Sequence, residues 1–205
     1  MAITTYSELK VAIQNWAKRS DITTLVDDFI DLAESDLWQR LRIRDMEAET
    51  SLSSSTSVRT VALPSAFLQA RRLRIDRTDL DDVVLQYETP MSLRVVESAG
   101  MPLRFTITNQ IELDRVSDQV YTLKLQYYAS LTALSNSNTT NAVLTRFPMV
   151  YLYASLFHYA QWAQDDLLID RYALLAEGAI AQANAADRKG RYGPAPGIRI
   201  MGATP

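Results

Sequence analysis

The residue of this sequence best suited to acid–base chemistry at neutral pH is its single histidine, His158. A hydrolase built on His158 would need a nucleophile beside it, and the chain has no cysteine. The chain also lacks a Gly-x-Ser-x-Gly nucleophile elbow, a Gly-rich phosphate loop and a His-Glu-x-x-His metal motif. Because His158 lies in an apolar helical stretch, an imidazole held in the core or at an interface is favoured over a catalytic one.

Two groups of acidic residues are the remaining candidates for cation binding or paired-carboxylate chemistry. A calcium loop needs oxygen ligands at defined offsets and usually a glycine at its turn, and the first group lacks that spacing. The second group would face one another only in a geometry that the sequence does not indicate. The sequence therefore predicts no metal site, no cofactor and no enzyme. The groups are Asp79, Asp81 and Asp82, and Glu177 with Asp165 and Asp166.

Two clusters of arginines raise the alternative of a regulatory module that binds nucleic acid. Such a site would need interleaved aromatic residues or a helix face that enters a groove, and neither cluster offers them. The formal net charge of −3 also argues against a dedicated nucleic-acid binder. Salt bridges within or between chains are the favoured interpretation. The clusters are Arg40, Arg42 and Arg44, and Arg71, Arg72, Arg74 and Arg77.

Length and composition limit the elements that position these residues. With 205 residues, of which 47% are hydrophobic, the chain can bury a sizeable core as one domain with an insertion or as two small domains. The absence of cysteine suits assembly in a reducing cytosol. No secretion signal is visible, and the most apolar stretch, 147–163, is too short and too polar to span a bilayer. A soluble protein is expected.

Helical periodicity at the N-terminus gives way to strand periodicity after about residue 45. Thr5 and Glu8 form a capping-box pattern before a first helix, and Thr23 or Thr24 is expected to cap a second. The second helix is predicted to carry Asp27, Asp28, Asp31 and Glu34 on the face opposite its apolar stripe. Alternation of period two, broken at turns, then predicts six or seven antiparallel strands, the fourth of them at 83–87. Between them, a short helix is predicted from Thr89-Pro90 to about Ser98.

Helical periodicity returns after a polar loop at 134–141. One helix capped by Thr145 is predicted to run to about Gln164, and another from about Asp166 to Arg188. The sequence therefore predicts an α+β fold, a discontinuous helical bundle of two N-terminal and two C-terminal helices that carries an inserted antiparallel β module. The bundle is assigned residues 1–45 and 143–188, the β module 46–142, and an extended C-terminal arm 189–205.

Two features of the C-terminal part predict interaction surfaces. The arm is basic and contains apolar residues among glycines and prolines, which is typical of a segment that orders on a partner. The helix before it carries more aromatic residues than one helix pair needs to bury, which predicts contacts between subunits. The arm residues are Arg188, Lys189, Arg191, Ile198, Arg199, Ile200 and Met201, and the aromatic ones are Tyr151, Tyr153, Phe157, Tyr159 and Trp162.

A series of short stretches, in order from about residue 4 to residue 187, resembles the head-to-tail adaptor proteins of tailed phages, including the tail tubular protein A type. The stretches are Ser7-Glu8-Leu9-Lys10, Trp16 through Asp21, Ile30 through Glu47, Ala62-Leu63-Pro64 with Phe67-Leu68, Gly100 and Pro102 before Phe105, Tyr127-Tyr128-Ala129, Leu134-Ser135, Asn138, Thr140-Asn141, and Pro148 with Tyr151-Leu152-Tyr153-Ala154.

The resemblance implies a structural virion protein at the neck or tail junction of a phage, assembled in the host cytoplasm. It implies a twelvefold homo-oligomeric ring beneath the portal protein, a tail or nozzle protein on the other side, and DNA only as passing cargo. It also implies that the C-terminal arm reaches the portal. Deletion of residues 189–205 is therefore expected to abolish portal binding and to leave the fold intact, and the isolated protein is expected to be monomeric.

Overall fold

The computed structural model of the chain describes residues 3–77 and 80–191. Within these residues, helices occupy both ends of the chain and strands its middle, so the predicted α+β fold is confirmed. The helices are α1 (Tyr6–Ala17), α2 (Val26–Arg40), α3 (Ala142–Arg146), α4 (Pro148–Ala163) and α5 (Asp166–Arg191). The strands are β1 (Glu47–Ser53), β2 (Thr60–Val61), β3 (Phe67–Asp76), β4 (Val83–Val84), β5 (Gln86–Tyr87), β6 (Arg104–Ile107), β7 (Ile111–Leu113) and β8 (Thr122–Ala129).

The chain divides into a helical unit, Met1–Asp45 with Thr132–Pro205, and a β unit, Met46–Leu131. The connection at 132–141 thus groups with the helices, whereas the sequence-based division placed it in the β module. Its contacts explain the difference: the Leu134 side chain is buried, and the Tyr6 N–H donates to the Thr139 carbonyl at 2.7 Å. None of the described helices is long and apolar enough to cross a membrane.

Helix α1 begins at the capping box that the sequence predicts. The Thr5 hydroxyl accepts from the Glu8 N–H at 3.3 Å, and the Glu8 carboxylate accepts from the Thr5 N–H at 3.1 Å. Leu9 and Ile13 of its apolar stripe are fully buried, whereas Trp16 near its end is 44% exposed. These residues form a helix because the box satisfies its first amide groups and the stripe gives it a face to bury.

The start of α2 differs from the prediction. Leu25 is its N-cap and makes no side-chain cap bond, so the expected threonine cap was wrong. The Thr23 hydroxyl instead donates to the Ser20 carbonyl at 2.8 Å. The Ile22 carbonyl accepts from the N–H groups of Leu25 and Val26, and its side chain is fully buried. Burial of Ile22 in the turn therefore fixes where α2 begins.

The C-terminal half of the helical unit contains three helices where two were predicted. Asn141, not Thr145, caps the short helix α3, because its Oδ1 accepts from the Leu144 N–H at 2.9 Å. The chain then leaves helical geometry at Phe147, with φ −135° and ψ 58°. Pro148 disfavours helical geometry at the residue before it and suits the first position of a new helix, so α4 begins there.

The β unit consists of two four-stranded sheets, with strand orders β1-β8-β3-β4 and β2-β7-β6-β5. All pairs are antiparallel except β5 with β6, which is parallel. Apolar side chains from both sheets form one core, since alternate residues of a strand point to the same face. Its buried members are Val61, Leu73, Ile75, Leu85, Phe105, Ile111, Leu113, Leu123, Leu125 and Tyr127.

Two local predictions within the β unit were wrong. The segment 83–87 was predicted as one strand, but it divides at Leu85, whose N–H donates to the Leu73 carbonyl at 3.0 Å. The chain therefore passes from one sheet to the other at this buried residue. In place of the helix predicted from Thr89 there is a turn, in which the Ser92 N–H donates a hydrogen bond to the Thr89 carbonyl. The Val96 N–H then donates to the Asp114 carbonyl, so this segment is held by the sheet instead of by helical bonds.

Candidate functional site

The last turns of α5 are tied to the segment that follows α2. The Arg42 N–H donates to Asn184 Oδ1 at 3.0 Å, and the Arg44 N–H donates to Asp187 Oδ1 at 3.1 Å. Asn184 Nδ2 donates in turn to the Arg40 carbonyl at 3.3 Å. The Asp187 side chain is only 1% exposed. We call these contacts the strap, and they fix the end of the helix from which the C-terminal segment continues.

The first arginine cluster lies along the strap and is engaged within the chain. Arg40 forms an ion pair with Glu177 of α5. Arg42 Nη1 donates to the Trp38 and Leu41 carbonyls at 2.8 and 2.6 Å. The Arg44 guanidinium lies 3.7 Å from Asp187. The Arg40 and Arg44 side chains thus link the end of α2 and the segment after it to α5 by ion pairs, which is the salt-bridge interpretation of the sequence.

The second arginine cluster is spread along β3 and its neighbours. Arg71 pairs with Glu47, and its guanidinium lies 5.5 Å from the centre of the Tyr128 ring. Arg74 lies 3.3 Å from Glu49 and 2.9 Å from Asp82. Because both arginines are paired with carboxylates, the cluster does not form one uncompensated cationic surface.

The acidic groups singled out in the sequence have structural contacts. Asp82 pairs with Arg74, while Asp79 lies outside the described residues. Glu177 pairs with Arg40, and Asp165 Oδ1 accepts from the Leu168 N–H at 3.1 Å at the start of α5. In the part of the chain that the structure describes, no group of three or more histidine, aspartate and glutamate side chains could hold a metal ion.

His158 joins α4 to α2. Its Nε2 lies 3.0 Å from Asp36 Oδ2, and its ring meets the ring of Phe157 edge-on at 5.4 Å between centres. The imidazole side chain is 11% exposed. Both contacts hold the ring in place, as the sequence interpretation of a core or interface imidazole expects.

The aromatic residues of α4 divide into two classes. Tyr151 and Tyr159 lie in the core of their own helical unit, at 0% and 4% exposure. They therefore present no surface to a second subunit, and the prediction that they form an interface needs correction. Tyr153 and Phe157 are half-buried, and Trp162 is 45% exposed. The prediction overlooked that the other helices of the unit, chiefly α2 and α5, pack against α4.

The arm residues also divide. Arg188 and Lys189 are exposed side chains within α5, and Arg191 is its last residue. The helix thus extends past the predicted start of the extended arm at residue 189, because the strap holds its final turns. The remaining predicted arm residues lie outside the described residues. They are Ile198, Arg199, Ile200 and Met201.

A buried polar network that the sequence interpretation missed connects α2, the 132–141 connection and α4. Glu34 Oε1 accepts from the Leu134 N–H at 3.0 Å and from the Tyr151 hydroxyl at 2.8 Å. The Tyr151 hydroxyl accepts from Asn141 Nδ2 at 2.7 Å. Glu34 had been assigned to the exposed acidic face, yet it is 3% exposed. Its spacing, four residues after Ile30 and three before Leu37, could have placed it on the buried stripe.

Burial governs the protonation of this network. Removal from water raises the pKa of the Glu34 carboxyl, although its hydrogen bonds from Leu134 and Tyr151 act in the opposite direction. Burial also raises the pKa of the Tyr151 hydroxyl, and the adjacent Glu34 adds to the effect. The hydroxyl therefore keeps its proton and donates a hydrogen bond to the Glu34 carboxyl group.

The raised pKa of Glu34 predicts a pH dependence of stability. The folded state binds a proton at Glu34 more tightly than the unfolded state does. The stabilisation from this proton is therefore complete below the unfolded pKa and is lost as the pH rises through the raised folded pKa. As the pH rises above the ordinary pKa of a glutamate, the native chain should lose more stability than a Glu34→Gln variant, measured by urea unfolding at a series of pH values. Identical pH profiles would contradict this prediction.

Glu49 offers a control of opposite sign in the β unit. A hydrogen bond from Gln126 and the nearby Arg74 lower the pKa of its carboxyl. Its stabilisation is therefore present above the unfolded pKa and lost as the pH falls through the lowered folded pKa. A Glu49→Gln variant should lose less free energy of unfolding than the native chain as the pH falls. A Glu34→Gln variant should lose less than the native chain as the pH rises.

One known protein family matches nearly the whole chain. The family model described as SU10 adaptor protein matches residues 4–199 of the chain. This range contains every helix and strand described above and continues beyond α5. No curated protein matches the chain.

Proposed function

The chain belongs to the SU10 adaptor protein family, and from this premise we propose that it forms a ring that joins the portal to the tail of a phage particle and lets DNA pass. The family is one of phage head-to-tail adaptors, so the resemblance predicted from the sequence is confirmed. A structural adaptor role and a place in the virion follow from that membership. Ring formation, portal and tail contacts and DNA passage are the proposal.

The observation that carries the proposal is the match over residues 4–199, which includes both units and part of the basic C-terminal segment. Three features of the chain support it. Helices α4 and α5 bring exposed aromatic and aliphatic side chains to the surface of the helical unit. The formal net charge of −3 suits a channel that passes DNA without gripping it. The strap holds the start of the C-terminal segment in a defined position.

The test is an assembly experiment with purified portal from the same phage. The adaptor should form rings on the portal that are visible by negative-stain electron microscopy, with a stoichiometry of twelve adaptors per portal ring, as the family resemblance implies. Native mass spectrometry would count the copies. An adaptor that stays monomeric in the presence of portal, or that binds the tail protein alone, would contradict the proposed function.

We also propose that the segment after Arg191 docks on the portal through Ile198, Ile200 and Met201, with Arg199 beside them. Burial of these apolar side chains against the portal would stabilise the complex. The glycines and prolines between them and α5 would act as a spacer. Arg188 and Lys189, exposed on the last turns of α5, would lie near the docking site and favour an acidic portal surface.

DNA binding by the arginine clusters should be weak in this function. Because Arg40, Arg71 and Arg74 are paired with carboxylates, these three arginines contribute little to the displacement of counterions from the DNA phosphates. We expect the affinity for duplex DNA to fall less than about tenfold between 50 and 200 mM salt, whereas about 6–10 phosphate contacts would give a fall of roughly 10³-fold or more. Fluorescence anisotropy over a salt series measures this slope. A steep slope would favour the nucleic-acid-binding alternative.

A further inference from the structure

We propose that neighbouring copies contact head to tail in the ring, with Leu167 and Leu174 of one copy seated in the groove between α4 and α5 of the next. This inference rests on the proposed ring and names the surfaces that would form it. Both surfaces belong to the helical unit.

The first surface is a ridge on the outer face of α5. Leu167 and Leu174 are 84% and 75% exposed, and they stand seven residues apart, which is two helical turns on one face. Tyr172 and Ile180, on the opposite face, are buried in the unit. Single exposed leucines are common on protein surfaces, but these two, in line along a long helix, form an apolar ridge that the described residues of the chain do not cover.

Small residues continue the ridge toward the C-terminus. Gly178, Ala181 and Ala185 are exposed on the same face. A Cβ atom added at Gly178 would meet no atom of the described residues within 4 Å, so their packing does not require a glycine there. A glycine inside a helix costs roughly 1 kcal/mol relative to alanine. Close approach of a neighbouring chain would explain this glycine, because a residue without a side chain lets the two backbones come together.

The second surface is an apolar groove between the start of α4 and the second half of α5. Its volume is about 280 Å³, and its lining includes Phe147, Met149, Ala179, Ala183 and Ala186. A cavity of about 150 Å³ lined by apolar side chains holds a benzene molecule, so this groove has room for more than one aliphatic side chain. Met149 is 47% exposed at its edge, and a flexible methionine can adapt to what enters.

Ridge and groove lie on different faces of α5, which fixes the kind of contact. Ala179 follows Leu167 by twelve residues and Ala186 follows Leu174 by twelve, a rotation of roughly 120° around the helix. A chain therefore cannot fill its own groove with its own ridge. When the ridge of one copy fills the groove of the next, each copy keeps a free ridge or groove for a further copy. Such a heterologous contact can repeat from copy to copy and forms a ring when its rotation closes, whereas a two-fold contact stops at a dimer.

The test uses the absence of native cysteine in the chain. Two single variants, Leu174→Cys and Met149→Cys, are mixed with portal and oxidised mildly. We expect a disulfide dimer from the mixture and none from either variant alone, and a ladder of covalent oligomers from the double variant. A dimer from Leu174→Cys alone would show a two-fold contact between ridges and would overturn the proposal.

This experiment distinguishes an error in the proposed adaptor function from an error in the proposed contact between copies. Rings that assemble on portal without the disulfide would overturn the ridge-and-groove contact and leave the adaptor function standing. Absence of both rings and disulfides would overturn both. As a second measurement, Leu174→Asp should reduce ring yield at least tenfold with unchanged unfolding in urea. Leu32→Asp, at a leucine of α2 that is 52% exposed, is the matched control and should leave ring yield unchanged. Equal loss in both variants would overturn the proposal.

Discussion

A chain that ends at Arg191 is expected to bind portal at least about a hundredfold more weakly than the full chain. A hundredfold loss corresponds to about 2.8 kcal/mol, which is what burial of one or two large aliphatic side chains supplies. Residues 198–201 hold three such side chains, Ile198, Ile200 and Met201. Surface plasmon resonance on immobilised portal measures the change, which tests the proposed docking of this segment.

The same truncation should leave the free energy of unfolding unchanged, because the strap residues Asn184 and Asp187 are retained. Truncation after Arg191 is a cleaner test than the deletion of residues 189–205 suggested by the sequence, because removal from residue 189 would also shorten α5. Thr204→Ala, near the end of the chain, is a point control that should bind portal normally. Normal binding by the truncated chain would refute portal docking by this segment.

Replacement of Glu34 by alanine is expected to destabilise the chain by roughly 2–5 kcal/mol. The variant leaves the buried Leu134 N–H without its acceptor and the Tyr151 hydroxyl without the carboxylate to which it donates. Each buried polar group that loses its partner costs about 1–3 kcal/mol. Urea unfolding followed by circular dichroism gives the difference in free energy.

Glu177→Ala is the matched control, because it makes the same change at a glutamate of α5 whose side chain is 64% exposed. Its ion pair with Arg40 lies at the surface, where such pairs contribute about 0–1 kcal/mol. Glu34→Gln, which keeps an oxygen acceptor, should fall between the two. Equal losses for Glu34→Ala and Glu177→Ala would mean that the buried network does not contribute as described.

The periodic parts of the fold could be predicted from the sequence because their signals are local. The box of Thr5 and Glu8 and the stripe with Leu9 and Ile13 lie within a few residues of one another. The alternation along β8 is equally local, since Leu123, Leu125 and Tyr127 share one face. The passage between sheets at Leu85 is different, because it depends on Leu73 from another strand. A local pattern carries no information about that contact.

The candidate sites depend still more on contacts between distant residues. The Glu34 network joins residues 100 and 117 positions apart, and the strap joins residues 142 and 143 positions apart. A sequence can show that Asn184 and Asp187 share a helix face, but not that the N–H groups of Arg42 and Arg44 meet them. The same limit explains why Tyr151 was predicted at an interface. Its burial is decided by Glu34 and Asn141, which lie far from it or outside its helix.

The interruption of the helical unit by the β unit has a consequence for synthesis. Residues 3–45 leave the ribosome well before residues 132–191, so α1 and α2 emerge without the helices that cover their apolar faces. The β unit is continuous in the chain and can fold as soon as Leu131 is exposed. We therefore expect the β unit to fold first during translation and the helical unit to close last. Until then, the buried faces of α1 and α2 are the surfaces on which a chaperone would act.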